Sequence, residues 1–451
     1  MKSKIVLTIG LVSAMSLGGV VPSVSAHDEL GKDFIEKGTR VGFNNVIPSI
    51  SGSKNFKWQE ISSQQIKLKN GVQNNTADVY VHKGFAYTGT HTQNGGNGGV
   101  RVWDIKNPNK PKEISVFGDD IEGTWQEKVI VKSVNTKHFK GSLAVVSVQQ
   151  IDRNDPKSVG GFLLYDVTDP YQPKKLGFWS LDKRVRGTHE LYLTVQNGNP
   201  YVLAANPYAD YYTHGEQKDF QIVDVSNPAK PTTIYQFDPR SLPDVQEDFD
   251  GYNWNAPDGK TRPAFNHSTM TDKKGQTAFL SFWDLGTIIL DIKNPKKPKV
   301  LGRTTFSPNQ QGSAHSVALA KGEDVLVETR EVYNPTKEGY EQAYGYTRIF
   351  DIKNKKNPTL LSEFKTELVA NIEDGVTFGN TVHDPKVQGN TLYLSHYAGG
   401  VRAVDISRPA HPFEIGKYIP ENADVWGVFV DKDYVFASDM GTGLKVLKKN
   451  N

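Results

Sequence analysis

One pattern recurs six times in this 451-residue chain, and it limits the fold more than any other feature. It is a β-branched or aromatic run that ends in Asp and Ile or Val and then enters a turn with two spaced prolines. The copies are VRVWDIKNPNKP at 100–111, FLLYDVTDPYQP at 162–173, FQIVDVSNPAKP at 220–231, TIILDIKNPKKP at 287–298, TRIFDIKNKKNP at 347–358 and VRAVDISRPAHP at 401–412. Only the fifth lacks the first proline, with Lys355 in its place. The shared aspartates, Asp104, Asp166, Asp224, Asp291, Asp351 and Asp405, are spaced by 62, 58, 67, 60 and 54 residues. A truncated seventh copy at 443–447 ends the series.

Each copy reads as a strand stopped by its turn, because proline cannot donate to a sheet ladder. Two further alternating runs precede each motif and a fourth follows, as in the segments 78–89 and 111–117. Four short strands in a unit of about 60 residues is the pattern of a propeller blade. The expectation is an all-β, seven-bladed β-propeller occupying residues 56–451. Its last blade has three strands of its own. Residues 58–62, WQEIS, read like the fourth-strand segment PKEIS at 111–115. An N-terminal strand within 56–67 is therefore expected to pair beside 443–447 and close the ring, which would leave no open edge.

Ahead of that strand, Lys2 and Lys4, an apolar run over 5–21 and the small residues Val24-Ser25-Ala26 form an export signal, residues 1–26. Residues 27–55 would be an N-terminal extension. The expected location is secreted, extracellular or at the cell surface, with no membrane span in the mature chain.

The repeat resembles the LVIVD repeat family, whose consensus is a Leu-Val-Ile-Val-Asp strand followed by Ser-Asn-Pro. IVDVSNP at 222–228 is nearly that consensus, and the likeness extends over residues 75–447. The resemblance implies a β-propeller of bacterial and archaeal exported or surface proteins, most without an assigned activity. It carries no catalytic residues over to this chain.

Aligning the units brings four histidines to one position, where the innermost strand of a blade begins. They are His189 in GTHELYL, His267 in FNHSTMT, His315 in SAHSVAL and His383 in TVHDPKV. Counting from the other repeats assigns Asp78, Trp125 and Trp426 to the same ring. The ends of the second strands would add His91, Glu328, His396 and Asp439 at the channel mouth. Neutral imidazole is a common ligand of transition metals, so the ring is a candidate site for one iron, copper or zinc ion. The competing reading is structural: each histidine would bond the repeat aspartate of its own blade. A third reading is a metal-free ligand pocket or proton-transfer site, and all three stand on the sequence alone.

The remaining signals narrow the function. The formal charge of +3 falls to +1 without the leader lysines, so no electrostatic footprint for nucleic acid exists. The chain has no cysteine, which excludes disulfides and thiolate chemistry. The acidic loop 246–251 has an Asp-x-Asp-Gly core that would suit a loose calcium site, but Pro257 stands where a helix-loop-helix site needs Glu. Two readings of function remain. One is an exported monomeric scaffold that binds a protein, a glycan or a small molecule. The other is a metal-dependent enzyme, an oxidoreductase among the candidates, that uses the histidine ring. No residue is assigned a catalytic role.

Overall fold

The computed structural model describes residues 58–66, 75–91, 98–372 and 378–449. The export signal and the 27–55 extension lie outside them. Among the described residues, seven small antiparallel sheets are arranged as a seven-bladed β-propeller, with one further hairpin of Asn253–Asn255 and Thr261–Pro263. Blade one runs from Asn75–His82 to Lys112–Phe117, blade three from Glu190–Gln196 to Thr232–Phe237, and blade six from Pro385–Gln388 to Phe413–Tyr418. In each of these the strands pair in chain order. Blade seven contributes Val425–Asp431, Tyr434–Asp439 and Gly443–Lys449, and its fourth strand is Trp58–Gln64. That strand pairs antiparallel with Gly443–Lys449, Trp58 opposite Lys449 and Gln64 opposite Leu444. The first and last described strands are thus joined inside one sheet.

The repeat motif is a strand with its own stop. Its aspartate turns back onto the backbone two residues later: Oδ1 accepts from the N–H of Lys106, Thr168, Ser226, Lys293, Lys353 and Ser407, at 2.7–3.0 Å. Such Asx turns end a strand by offering its backbone a different partner. In the first five copies the Asn or Asp three residues on repeats the device, as Asn227 does for Ala229. The same turn closure in all six copies therefore accounts for the repeat aspartates.

Alternation inside each strand places apolar residues on both faces of the sheet, because every blade is covered on both sides. The buried clusters accordingly straddle the blade interfaces. Val102, Val146 and Leu163 join blades one and two; Leu203, Ile222, Leu280 and Ile288 join three and four. Val79, Trp103, Leu444 and Val446 join seven to one. The ring is held by packing between neighbours, as in other repeat architectures.

Before the third strand of blade six, Gly400 has φ +71, and a Cβ there would lie 2.1 Å from the carbonyl oxygen of Tyr418. Both the left-handed backbone and the close approach require glycine. Gly400→Ala is expected to cost about 3 kcal/mol, combining backbone strain with overpacking. A matching fall in the urea midpoint at unchanged m-value would show it.

Candidate metal centre

The four histidines stand at the top of the inner strands. His189, His267 and His383 immediately precede the inner ladders of their blades, and their backbone N–H groups donate to Ala205, Ser281 and Ser395 at 2.8–3.0 Å. His315 sits in a β-bulge between the pairs Ala314–Arg330 and Ser316–Thr329. Trp426 sits in the corresponding bulge of blade seven. A bulge re-aims a side chain that strand alternation would send away from the axis.

The four rings form a continuous arc. Ring centroids lie 4.4 Å apart for His189 and His267, 4.0 Å for His267 and His315, and 4.2 Å for His315 and His383. Trp426 follows at 4.5 Å from His383. All four histidines are 1–3% exposed. They face one another, while the repeat aspartates stay in their turns. The in-blade histidine–aspartate pairing of the structural reading is not the arrangement found.

Two carboxylates complete the cluster, and the sequence reading missed both. Oε2 of Glu127 lies 3.1 Å from Nδ1 of His189, and Oε2 of Glu331 lies 3.2 Å from Nε2 of His315. Nε2 of His189 and Nε2 of His267 are 2.9 Å apart. The Ser316 hydroxyl is 2.7 Å from Nδ1 of His315. Donor atoms of His267, His315 and Glu331 lie within 4.8 Å of one another. Tyr397 donates to Glu331, and Tyr333 bonds the same carboxylate.

Electrostatics follow from burial. Burial alone would lower the His189 pKa, but the Glu127 carboxylate beside it carries the net shift upward. Burial lowers His383 to about 4, so its imidazole is neutral at pH 7. Burial also raises Glu331 to about 8, against the hydrogen bonds from Tyr333 and Tyr397 that favour its charged form.

The register of the ring differs from the sequence expectation in two blades. The residue after each ring position pairs with the same site on the second strand, as Glu190 does with Ala205 and Ser268 with Ser281. Lys128 and Asp384 donate their backbone N–H to Ser147 and Ser395 in the same way. By this register the ring residue of blade one is Ala77, with Asp78 one step deeper, and that of blade two is Glu127. Trp125 lies two residues before it, and its indole Nε1 donates to Glu127 at 3.4 Å.

The second-strand set shifts as well. His91 is buried between Trp125 and Trp426, with centroids at 5.2 and 5.7 Å. Glu328 is instead held by Arg348, Thr287 and Thr304 between blades four and five. His396 lies 3.0 Å from the Thr366 hydroxyl, and Asp439 accepts from the backbone of Asp424, Gly441 and Thr442. The residues that reach the cluster lie further along, Glu331 three residues beyond Glu328 and Tyr397 one beyond His396. Side chains alternate along a strand, so a one-residue slip reverses the face. The acidic loop holds Asp250 in a turn, where it accepts from the backbone N–H groups of Tyr252 and Asn253.

Directly beneath the histidines lies a charged layer. Lys128 Nζ is 3.0 Å from both Asp78 and Glu190 and 3.8 Å from Asp384. Burial opposes its charge, but these three carboxylates hold its pKa well above the ordinary value. Below this layer the central channel opens into a cavity of about 600 Å³.

Comparison with known proteins agrees with the architecture. The family model of the LVIVD repeat matches residues 212–238 and 380–419, the second span containing His383. A search of curated proteins returns no match. Among solved structures, Raptor of Chaetomium thermophilum aligns with 88% of this chain at 11% identity and a TM-score of 0.54. This chain covers 29% of Raptor's length, and the likeness is one of fold. The computationally designed Ika8 protein aligns over 86% of this chain and 99% of its own, at 10% identity and a TM-score of 0.49. No helix among the described residues is long and apolar enough to cross a membrane. With the turn motif in six blades and the family's repeat matched in two of them, the chain carries LVIVD repeats and is similar to the LVIVD repeat family.

Proposed function

We propose that this propeller is an exported metal-binding protein. Its histidine cluster would hold one transition metal ion of the zinc, iron or copper class, with His189, His267, His315, His383 and Glu331 as the ligand set. The observation that carries this reading is the pair of facing Nε2 atoms of His189 and His267, 2.9 Å apart and buried. Neighbouring ligands on one ion are about 3.0–3.4 Å apart, for bonds of ~2.1 Å at angles between square and tetrahedral. The 3.2 Å from His315 to Glu331 fits the same spacing. Donor atoms of His267, His315 and Glu331 lie within 4.8 Å of one another, so drawing these three onto one ion needs an inward shift of about 1 Å.

Outer contacts support the same reading. A ligating histidine usually gives its other ring nitrogen to a carboxylate or hydroxyl, which fixes the tautomer. Glu127 stands in that place for His189, and Ser316 for His315. Export is inferred from the leader at 1–26, and an oxidising exterior suits a site of nitrogen and oxygen donors without thiolates.

Metal analysis of untagged protein, with calorimetric titration of Zn(II) into the metal-free chain, tests the proposal. One equivalent bound per chain is expected; no saturable binding of Zn(II), Fe(II) or Cu(II) would end it. Glu127→Gln should weaken binding by about 10–100-fold while leaving the stoichiometry at one, the usual effect of losing an outer-shell carboxylate. A catalytic use of the ion is the second reading, favoured by the two phenols of Tyr333 and Tyr397 on the Glu331 carboxylate.

A further inference from the structure

The near-neutral total charge averages over two unlike faces of the ring. In blade four Thr271, at the end of the inner strand, pairs with Ala278, and Thr277 pairs with the repeat aspartate Asp291. Blade six has the same order, Gln388 opposite Thr391 and Thr391 opposite Asp405. The repeat turns therefore lie at the end of the axis away from the histidines, which precede the inner strands. From each repeat aspartate to the first residue of the outer strand, the six turns hold thirteen Lys or Arg and seven Asp. Taking the seven basic and four acidic residues of 1–57 from the totals of 53 and 50 leaves 46 of each sign in 58–451. The turn rim is thus positive by six, and the rest of the propeller is negative by the same amount.

This excess is gathered on one side. The segments 291–299, 351–359 and 405–413, in the adjacent blades four, five and six, carry eight of the thirteen basic residues against three aspartates. The turns of blades one to three carry five against four. Asp291, Asp351 and Asp405 are held in their turns by backbone N–H groups. Lys296, Lys297 and Lys356 are exposed and form no ion pair among the described residues. Apolar side chains stand exposed at the same place. Val300, Leu360 and Phe413 are 40–53% exposed and sit opposite Leu290, Phe350 and Asp405, each within one pair of a repeat aspartate. They are three of the five large apolar side chains exposed among the described residues.

We infer that the turns of blades four to six dock on an anionic lipid surface, with the lysines against phosphate headgroups and Val300, Leu360 and Phe413 at the acyl boundary. Basic side chains beside exposed apolar ones are the two signals of interfacial membrane binding, and together they hold where either alone is marginal. A soluble polyanion would meet the charge and leave the apolar side chains in water. A neutral bilayer would take the apolar side chains and leave the lysines without partners. Docked in this way, the propeller presents its histidine end away from the lipid. The surface is separate from the metal ligands, so its failure would leave the metal proposal standing.

Co-sedimentation of the full mature chain with vesicles of phosphatidylcholine and phosphatidylglycerol, two to one, tests it against vesicles of phosphatidylcholine alone. Saturable binding to the anionic vesicles is expected, at least about tenfold tighter than to the neutral ones and weakened by salt, which screens exposed charge. Each lysine near an anionic surface is worth roughly fivefold in affinity, so Lys296→Gln, Lys297→Gln and Lys356→Gln together should cost about 100-fold. Lys110→Gln, Lys112→Gln and Lys174→Gln remove the same charge from blades one and two and should cost less than about fivefold. Leu360→Ser with Phe413→Ser should cost about tenfold. All eight positions are exposed, so the thermal midpoint should stay at that of the parent. No binding to anionic vesicles, equal binding to neutral ones, or equal losses in the two triple variants would overturn the inference. So would a serine pair without effect, which would mark a face for soluble polyanions instead.

Discussion

Replacing both His267 and His315 by alanine is expected to remove tight metal binding, with affinity for Zn(II) falling by at least about a thousandfold. Loss of one outer-shell partner already costs 10–100-fold in metal sites, and two direct ligands are worth more. These two histidines share the shortest ring separation of the arc, 4.0 Å, and His315 also meets Glu331. The readout is the difference in thermal midpoint with and without metal. A site filled to a thousand times its Kd stabilises the native state by about 4 kcal/mol. Wild-type protein should show that gain and the double variant should not. Comparing each protein with its own metal-free form removes the cost of the cavity left by two imidazoles. An equal gain in both proteins would mean that the ion binds elsewhere.

Deleting residues 56–66 should have the second large effect. The strand Trp58–Gln64 supplies the last blade's outer edge, and Ile66 beyond it is 1% exposed in the cluster that joins blades seven and one. Ile61 packs on that same cluster, and Trp58 on the neighbouring one. Burial of one large apolar side chain contributes about 1.5–3 kcal/mol, so the loss should reach about 5 kcal/mol. The bared edge of Gly443–Lys449 would also be free to pair with other chains. The expected result is a protein that aggregates or melts well below the parent, and that recovers when a peptide of residues 56–66 is added. An unchanged urea midpoint would show that the ring does not depend on this closure.

Sequence reached the fold because the same physical device is repeated. An aspartate that closes a turn and prolines that end a ladder are local signals, and six full copies with a truncated seventh set the blade count. Closure was legible because WQEIS repeats the fourth-strand pattern of blade one. The four histidines were legible because each opens the innermost strand of its own unit, although the distance on to the repeat aspartate runs from 22 to 36 residues. Glu127 and Glu331 were not, because they lie where the repeat is irregular. Blade two begins with two short strands, Thr124–Trp125 and Val129–Asn135, and the break moves its ring residue from Trp125 to Glu127. In blades four and five the step from ring histidine to second-strand end is 16 residues, His267 to Trp283 and His315 to Glu331, against 14 from His383 to Tyr397. A constant count therefore selected Glu328 and His396 in place of Glu331 and Tyr397. Spacing alone cannot follow a hairpin whose length changes.

The central claim is that one ion sits among these histidines, and the most direct measurement is X-ray absorption at the metal edge of protein loaded with one equivalent of Zn(II). The account predicts a first shell of nitrogen and oxygen at ~2.0–2.2 Å with the outer-shell signature of several imidazoles, lost in the double alanine variant. A shell of oxygen alone, without imidazole scattering, or a spectrum the double variant leaves unchanged, would contradict it.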